Sequence, residues 1–121
     1  TIAVATAMQE SSLYNSASPA VPESLNYPHD KVSSPDTDSV GLFQQRTSQG
    51  WGTVEQLMTP TYSAKAFYLS LKKVGGWESM ALTDAAAAVQ RPYWKYRSYY
   101  AKREDAAKQI VTRLTGVTAG I

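Results

Sequence analysis

Apolar positions recur at helical spacing along much of the chain. Val4, Ala7, Met8 and Leu13 do so within a run of good helix formers that contains no Gly or Pro. The stretch from Ala3 to Asn15 is therefore predicted to form a helix with one face in the core. Asn15-Ser16 and then Ser18-Pro19 supply its stop. Thr53 and Gln56 have capping-box spacing and predict a short helix through Met58. Thr59-Pro60 opens the next helix as N-cap and first helical residue, Tyr62, Ala66, Phe67, Leu71 and Val74 give it an apolar stripe, and Gly75-Gly76 ends it. Thr83 is expected to cap a third helix, Asp84 to about Gln90, with Asp84 favourable to its positive end. Almost no polar face remains on that Ala-rich segment, so it reads as a central buried helix stopped by Arg91-Pro92. A last helix is predicted from about Ser98 to Leu114, with Ala106, Ile110 and Leu114 on one face, Glu104 and Lys108 as an exposed pair, and Gly116 at its C-terminal cap.

The intervening segments read differently. From Ser16 to Asp38 the chain is rich in Ser, Pro, Asn and Asp, and Pro19, Pro22, Pro28 and Pro35 break any long element. A loop of that length in a small domain is typically a binding or lid region. His29, Asp30, Asp36 and Asp38 suggest a calcium loop, but the Gly and the distal bidentate Glu of such loops are missing, and no metal is expected. Downstream, Gly41, Gly50 and Gly52 permit close turns, with Leu42 and Phe43 as anchors between them. No strand pattern of useful length and no repeat appears, so the fold class is mainly α.

Length and composition narrow the functional classes. At 121 residues the chain is expected to be one domain, 1–121, excised from a longer protein. No signal peptide or membrane-spanning run is visible, so neither membrane insertion nor an address is encoded in this segment. There is no cysteine, which removes disulfides and thiol chemistry, and the single His29 makes a histidine-based metal or triad site a poor fit. The net charge of +2 is unevenly placed: residues 1–60 hold six acids against Lys31 and Arg46, whereas residues 91–121 hold seven bases against Glu104 and Asp105. Such asymmetry can favour an anionic surface partner.

Three groups of residues could carry chemistry. Glu10 sits in the last turns of an apolar helix with no Lys or Arg three or four positions away. Desolvation and the partial negative charge of a helix C-terminus both oppose its ionisation, the condition a general acid requires. Gln44, Gln45 and Gln49 place amides near Phe43 and Trp51, a combination suited to a carbohydrate, although Trp51 by itself reads as a packing residue. From Pro92 to Tyr100, aromatic Tyr93, Trp94, Tyr96, Tyr99 and Tyr100 alternate with Lys95 and Arg97. Interleaving of that kind serves single-stranded nucleic acid, a glycan, or the core equally.

Glu10-Ser11 at the end of an apolar helix, Gly41-Leu42-Phe43-Gln44, and the Ala-rich helix ending Ala88-Val89-Gln90 occur in that order. Together they resemble the Glu-Ser, Gly-Leu-Met-Gln and Ala-Tyr-Asn motifs of the soluble lytic transglycosylase and goose-type lysozyme family. The longer strings from Ser39 to Arg46 and from Ser48 to Thr53 look like an actinobacterial branch found in cell-wall proteins and in phages of those hosts. The similarity runs from Ile2 to Gly116. It implies a lysozyme-like α+β fold, a helical bundle around the buried Ala-rich helix with a small loop or hairpin lobe forming a glycan cleft. It further implies that Glu10 is the general acid acting between N-acetylmuramic acid and N-acetylglucosamine. Ser11, Gly41, Leu42, Phe43, Gln44, Gln45, Trp51, Gln90, Tyr93 and Tyr100 are then expected at the substrate. Gln90 and Val89 depart from the Asn and Tyr of the third motif, and one of Tyr93, Tyr96, Tyr99 or Tyr100 is expected to substitute.

The resemblance leaves two reactions. A hydrolase needs a second carboxylate, for which Asp38 or Asp36 is the candidate. A lytic transglycosylase needs none, because the muramic C6 hydroxyl closes an anhydro ring, and this reaction is the favoured expectation. The expected partner is the peptidoglycan strand, met extracellularly or in the cell wall by a monomer, with no cofactor. An inactive wall-binding module would tolerate loss of Glu10. A nucleic-acid-binding domain would need a broader basic surface than this chain has.

Overall fold

A computed structural model describes residues 1–92 and 94–116, and the chain is mainly helical. Among the described residues the α-helices are α1 (Ile2–Ser11), α2 (Val54–Leu57), α3 (Pro60–Lys72), α4 (Leu82–Gln90) and α5 (Glu104–Thr115). Two-residue strands β1 (Ser16–Ala17) and β2 (Lys31–Val32) pair in parallel, Ser16 opposite Lys31 and Ala17 opposite Val32. No described helix is long and apolar enough to cross a membrane. The chain divides into two compact units, one of residues 1–9 with 67 onwards and one of Glu10–Ala66.

In the first unit, α1 begins with Ile2, Ala3, Ala5, Thr6 and Ala7 buried. Thr6 is satisfied inside the helix, its hydroxyl donating to the Ile2 carbonyl at 2.7 Å. Helix α4 buries Leu82, Ala85, Ala86, Ala87 and Val89, as its lack of a polar face predicts. Its start differs from expectation: Ala81 is the N-cap and Thr83 lies inside the first turn. The Thr83 hydroxyl instead donates to the Arg97 carbonyl at 2.5 Å, and the Arg97 guanidinium meets Asp84 at 3.3 Å. A tertiary partner has thus taken the hydroxyl that a cap would use. Residues Trp94–Arg103 form a 3-10 helix rather than the first turns of a long α-helix. The change from three to 3.6 residues per turn resets which residues face inward. Ala107, not Ala106, is the buried residue of α5, and Leu114 is 80% exposed. The Glu104–Lys108 pair forms at 3.0 Å and Gly116 takes the left-handed cap, both as predicted.

In the second unit, Ala17, Val40, Leu57 and Met58 form a core against which Val21, Tyr27, Trp51 and Val54 pack. The predicted capping box is present: the Thr53 hydroxyl accepts from the Gln56 N–H at 3.2 Å, and the Gln56 side chain accepts from the Thr53 N–H at 2.9 Å. At the start of α3, the Thr59 hydroxyl donates back to the Glu55 carbonyl at 2.8 Å, tying α2 to α3. The proline-rich stretch folds as a short 3-10 turn, Pro22–Asn26, between the strands. One buried hydroxyl holds it: Ser24 Oγ accepts the Ser18 N–H at 2.9 Å and donates to the Val21 carbonyl at 2.6 Å.

Candidate functional site

Glu10 and Ser11, the last two residues of α1, open the second unit, and both are half-buried. The helix stops there because Ser12 and Leu13 adopt positive φ, 55° and 66°, and the Tyr14 N–H closes on the Ser11 carbonyl at 3.0 Å. Neither residue is glycine, so this turn carries backbone strain directly after the acid. It also turns Leu13 outward. Leu13 is exposed, not part of the core face that its spacing predicts.

Ser11 couples the acid's turn to the glycine motif, its hydroxyl donating to the Leu42 carbonyl at 2.7 Å. The motif itself is a tight reversal closed by Val40 and Gln45, which exchange N–H···O bonds of 3.0 and 3.1 Å. Gly41 has φ +83°, and a Cβ there would lie 2.3 Å from the Leu57 carbonyl oxygen, so only glycine fits. The Gly41 N–H donates to the Ser16 carbonyl at 2.8 Å, joining the reversal to β1. Gln44, at φ 52°, folds its amide back onto the Gly41 carbonyl at 2.9 Å. One contiguous backbone framework therefore holds the Glu10-Ser11 turn, β1 and the glycine reversal.

The other expected site residues occupy different environments. Phe43 is buried and anchors the reversal, as its apolar ring predicts. Gln45 is only 2% exposed, and neither polar atom of its amide has a hydrogen-bond partner among the described residues, so it does not offer an amide at the surface. Trp51 is half-buried against the Ala17–Met58 core, its packing role. Asp38 is bound to Arg46 at 2.7 Å, and Ser48 lies 3.5 Å from its other oxygen. Asp36 is exposed and takes a 3.0 Å hydrogen bond from Ser34. In the first unit, Gln90 is the half-buried last residue of α4, while Tyr100 is 2% exposed and belongs to the core. Tyr96 and Tyr99 stack edge to face at 5.2 Å, with the Lys102 ammonium 4.0 Å over the Tyr99 ring. Tyr93 lies outside the described residues.

Sequence reasoning missed Asn15. Its amide donates to the carbonyls of Met58 (2.8 Å) and Pro28 (3.2 Å), while its backbone N–H and C=O both bond to Asp30 at 2.9 Å. A polar residue next to a predicted helix stop looks like a terminator. Only the fold shows that it fastens three segments behind the acid's turn. No group of three or more His, Cys, Asp or Glu that could hold a metal occurs among the described residues.

No family model matches the chain, and no curated protein matches it.

Proposed function

We propose that this chain cleaves peptidoglycan glycan strands between N-acetylmuramic acid and N-acetylglucosamine, as a lytic transglycosylase of lysozyme-like fold with Glu10 as its acid. The observation that carries the reading is the 2.7 Å hydrogen bond from Ser11 to the Leu42 carbonyl. It ties the Glu-Ser pair to the Gly-Leu-Phe-Gln reversal, two of the three motifs on which the family resemblance rests. Glu10 is half-buried in the last turn of α1, and in this reading its carboxyl supplies the proton to the glycosidic oxygen.

In the proposed reaction Glu10 protonates the leaving oxygen. As the muramic C6 hydroxyl closes on the anomeric carbon, the resulting carboxylate takes that hydroxyl's proton. The glycosidic bond breaks, an internal ether forms, and Glu10 ends protonated as it began. Two observations favour this single-acid course over hydrolysis with a second carboxylate. Asp38 is engaged by Arg46, and Asp36 sits on an exposed turn bonded to Ser34. The proposed place of action is the cell wall, outside the membrane.

Mass spectrometry of digested peptidoglycan tests the reading, because anhydro-muramic products are lighter than hydrolysis products by one water. Glu10→Gln is expected to abolish product formation without loss of fold. Reducing-end products from the unmodified protein would instead support the muramidase reading, and persistent turnover in Glu10→Gln would exclude Glu10 as the acid.

A further inference from the structure

The second unit contains an open cavity of about 440 Å³ that none of the roles above uses. Its walls combine two kinds of surface. Pro28, Met58 and Pro60 are apolar, whereas Asp30 and Glu55 bring carboxylates, and among the described residues no Lys or Arg lines it. Among the described residues neither carboxylate has an ion pair. Asp30 accepts the Asn15 N–H at 2.9 Å, an interaction that leaves its charge in place. Its chain neighbour Lys31 is turned away, with its ammonium 5.4 Å over the Tyr14 ring. His29 lies at the rim, its Nδ1 donating to the Tyr27 carbonyl at 2.7 Å.

A cavity with acceptors and negative charge on one side and small apolar surfaces on the other selects a primary ammonium on a methylene chain. From this geometry we infer that the cavity is a binding site for the side-chain ammonium of a diamino acid in the peptidoglycan stem peptide. The assignment of the amine to a stem peptide rests on the glycan-cleaving reading above. The ammonium is inferred from the lining of the cavity, independently of that reading. Glu55 and Asp30 take the charged head, and the methylenes lie against Met58, Pro28 and Pro60. Asn15 shares this wall with the framework that holds the Glu10-Ser11 turn, so peptide recognition is mechanically continuous with the acid's support.

The test is direct binding to the 1–121 chain, followed by amide chemical shifts, with N-acetyl-L-alanyl-D-isoglutaminyl-L-lysine amide as probe. The comparators are its Nε-acetylated form and cadaverine. The lysine probe is expected to saturate with shifts at Glu55 and Met58, and to bind about tenfold more weakly after Nε-acetylation or in Glu55→Gln. Asp30→Asn, which keeps an acceptor for the Asn15 N–H, is expected to weaken it comparably. Equal binding of the acetylated probe, or unchanged binding in both variants, overturns the ammonium site. Cadaverine binding as tightly as the lysine probe overturns the stem-peptide assignment. Assaying the unmodified protein in parallel separates the two proposals: binding needs no turnover, so an unmodified chain that binds the probe but releases no product from peptidoglycan sinks only the catalytic reading.

Discussion

The carbonyl oxygen of Leu57 occupies the space that a side chain on Gly41 would need, at 2.3 Å from the position of a Cβ. The core of the second unit and the glycine reversal are thus in direct backbone contact. Gly41→Ala would meet both this clash and a φ of +83°. A loss of about 2–4 kcal/mol is expected, from left-handed strain plus overpacking. Urea unfolding of the variant measures it, and a midpoint equal to that of the parent would refute the tight fit.

Ser11→Ala removes the donor to the Leu42 carbonyl while keeping the helix former. Stability is expected to fall by about 1 kcal/mol, the net value of one such hydrogen bond. If the bond positions Glu10, the variant loses kcat on peptidoglycan with little change in KM. A change confined to KM would assign Ser11 to binding instead.

Replacing Asp36 and Asp38 together by Asn decides whether either carboxylate takes part in the reaction. Unchanged turnover with anhydro-muramic products is expected. A loss as deep as that of Glu10→Gln would move the reaction to hydrolysis.

Tyr27 provides a pH marker in the same unit. Its phenol donates to Glu23 at 2.9 Å, and that hydrogen bond, followed by desolvation and the charges of Glu23 and Glu55, raises its pKa above the ordinary tyrosine value. The interaction supports the fold below the unfolded-state pKa of tyrosine and is lost as pH rises through the elevated folded-state value. The difference spectrum between the parent and Tyr27→Phe during alkaline titration reports that ionisation. Glu23→Gln should bring it down.

Thr53→Ala tests the capping box at the start of α2. About 1 kcal/mol of stability should be lost, with Thr53→Ser recovering most of it.

The capping box was legible because both partners lie within four residues of each other, and so were the buried Ala-rich helix, the Glu104–Lys108 pair and the Gly116 cap. What escaped depends on distant partners or on a change of helical period. Thr83 has the chemistry of a cap, but the Arg97 carbonyl claims its hydroxyl. The 3-10 helix over Trp94–Arg103 shifts the phase of everything after it, so Ala107 is buried where Ala106 was expected. Gln45 looks like a surface amide in sequence. Its backbone pairs with Val40, and that pairing carries the side chain inside. Of the candidate site, Glu10, Ser11 and the glycine reversal could be named from sequence, whereas the Asn15 fastening could not, since its partners lie 13 and 43 residues away.

The stretch Ser34–Asp36 is exposed and clamped at its base by two hydrogen bonds, from the Ser33 N–H to the Ala17 carbonyl at 2.8 Å and from the Ser18 hydroxyl to the Thr37 carbonyl. Closure of the loop is thereby separated from its contents. Lengthening a flexible loop twofold costs only about 0.6 kcal/mol in closure entropy. A guest peptide, a reporter or an affinity handle can therefore be spliced in at Pro35, giving the chain a point of attachment that leaves the framework beneath Glu10 intact.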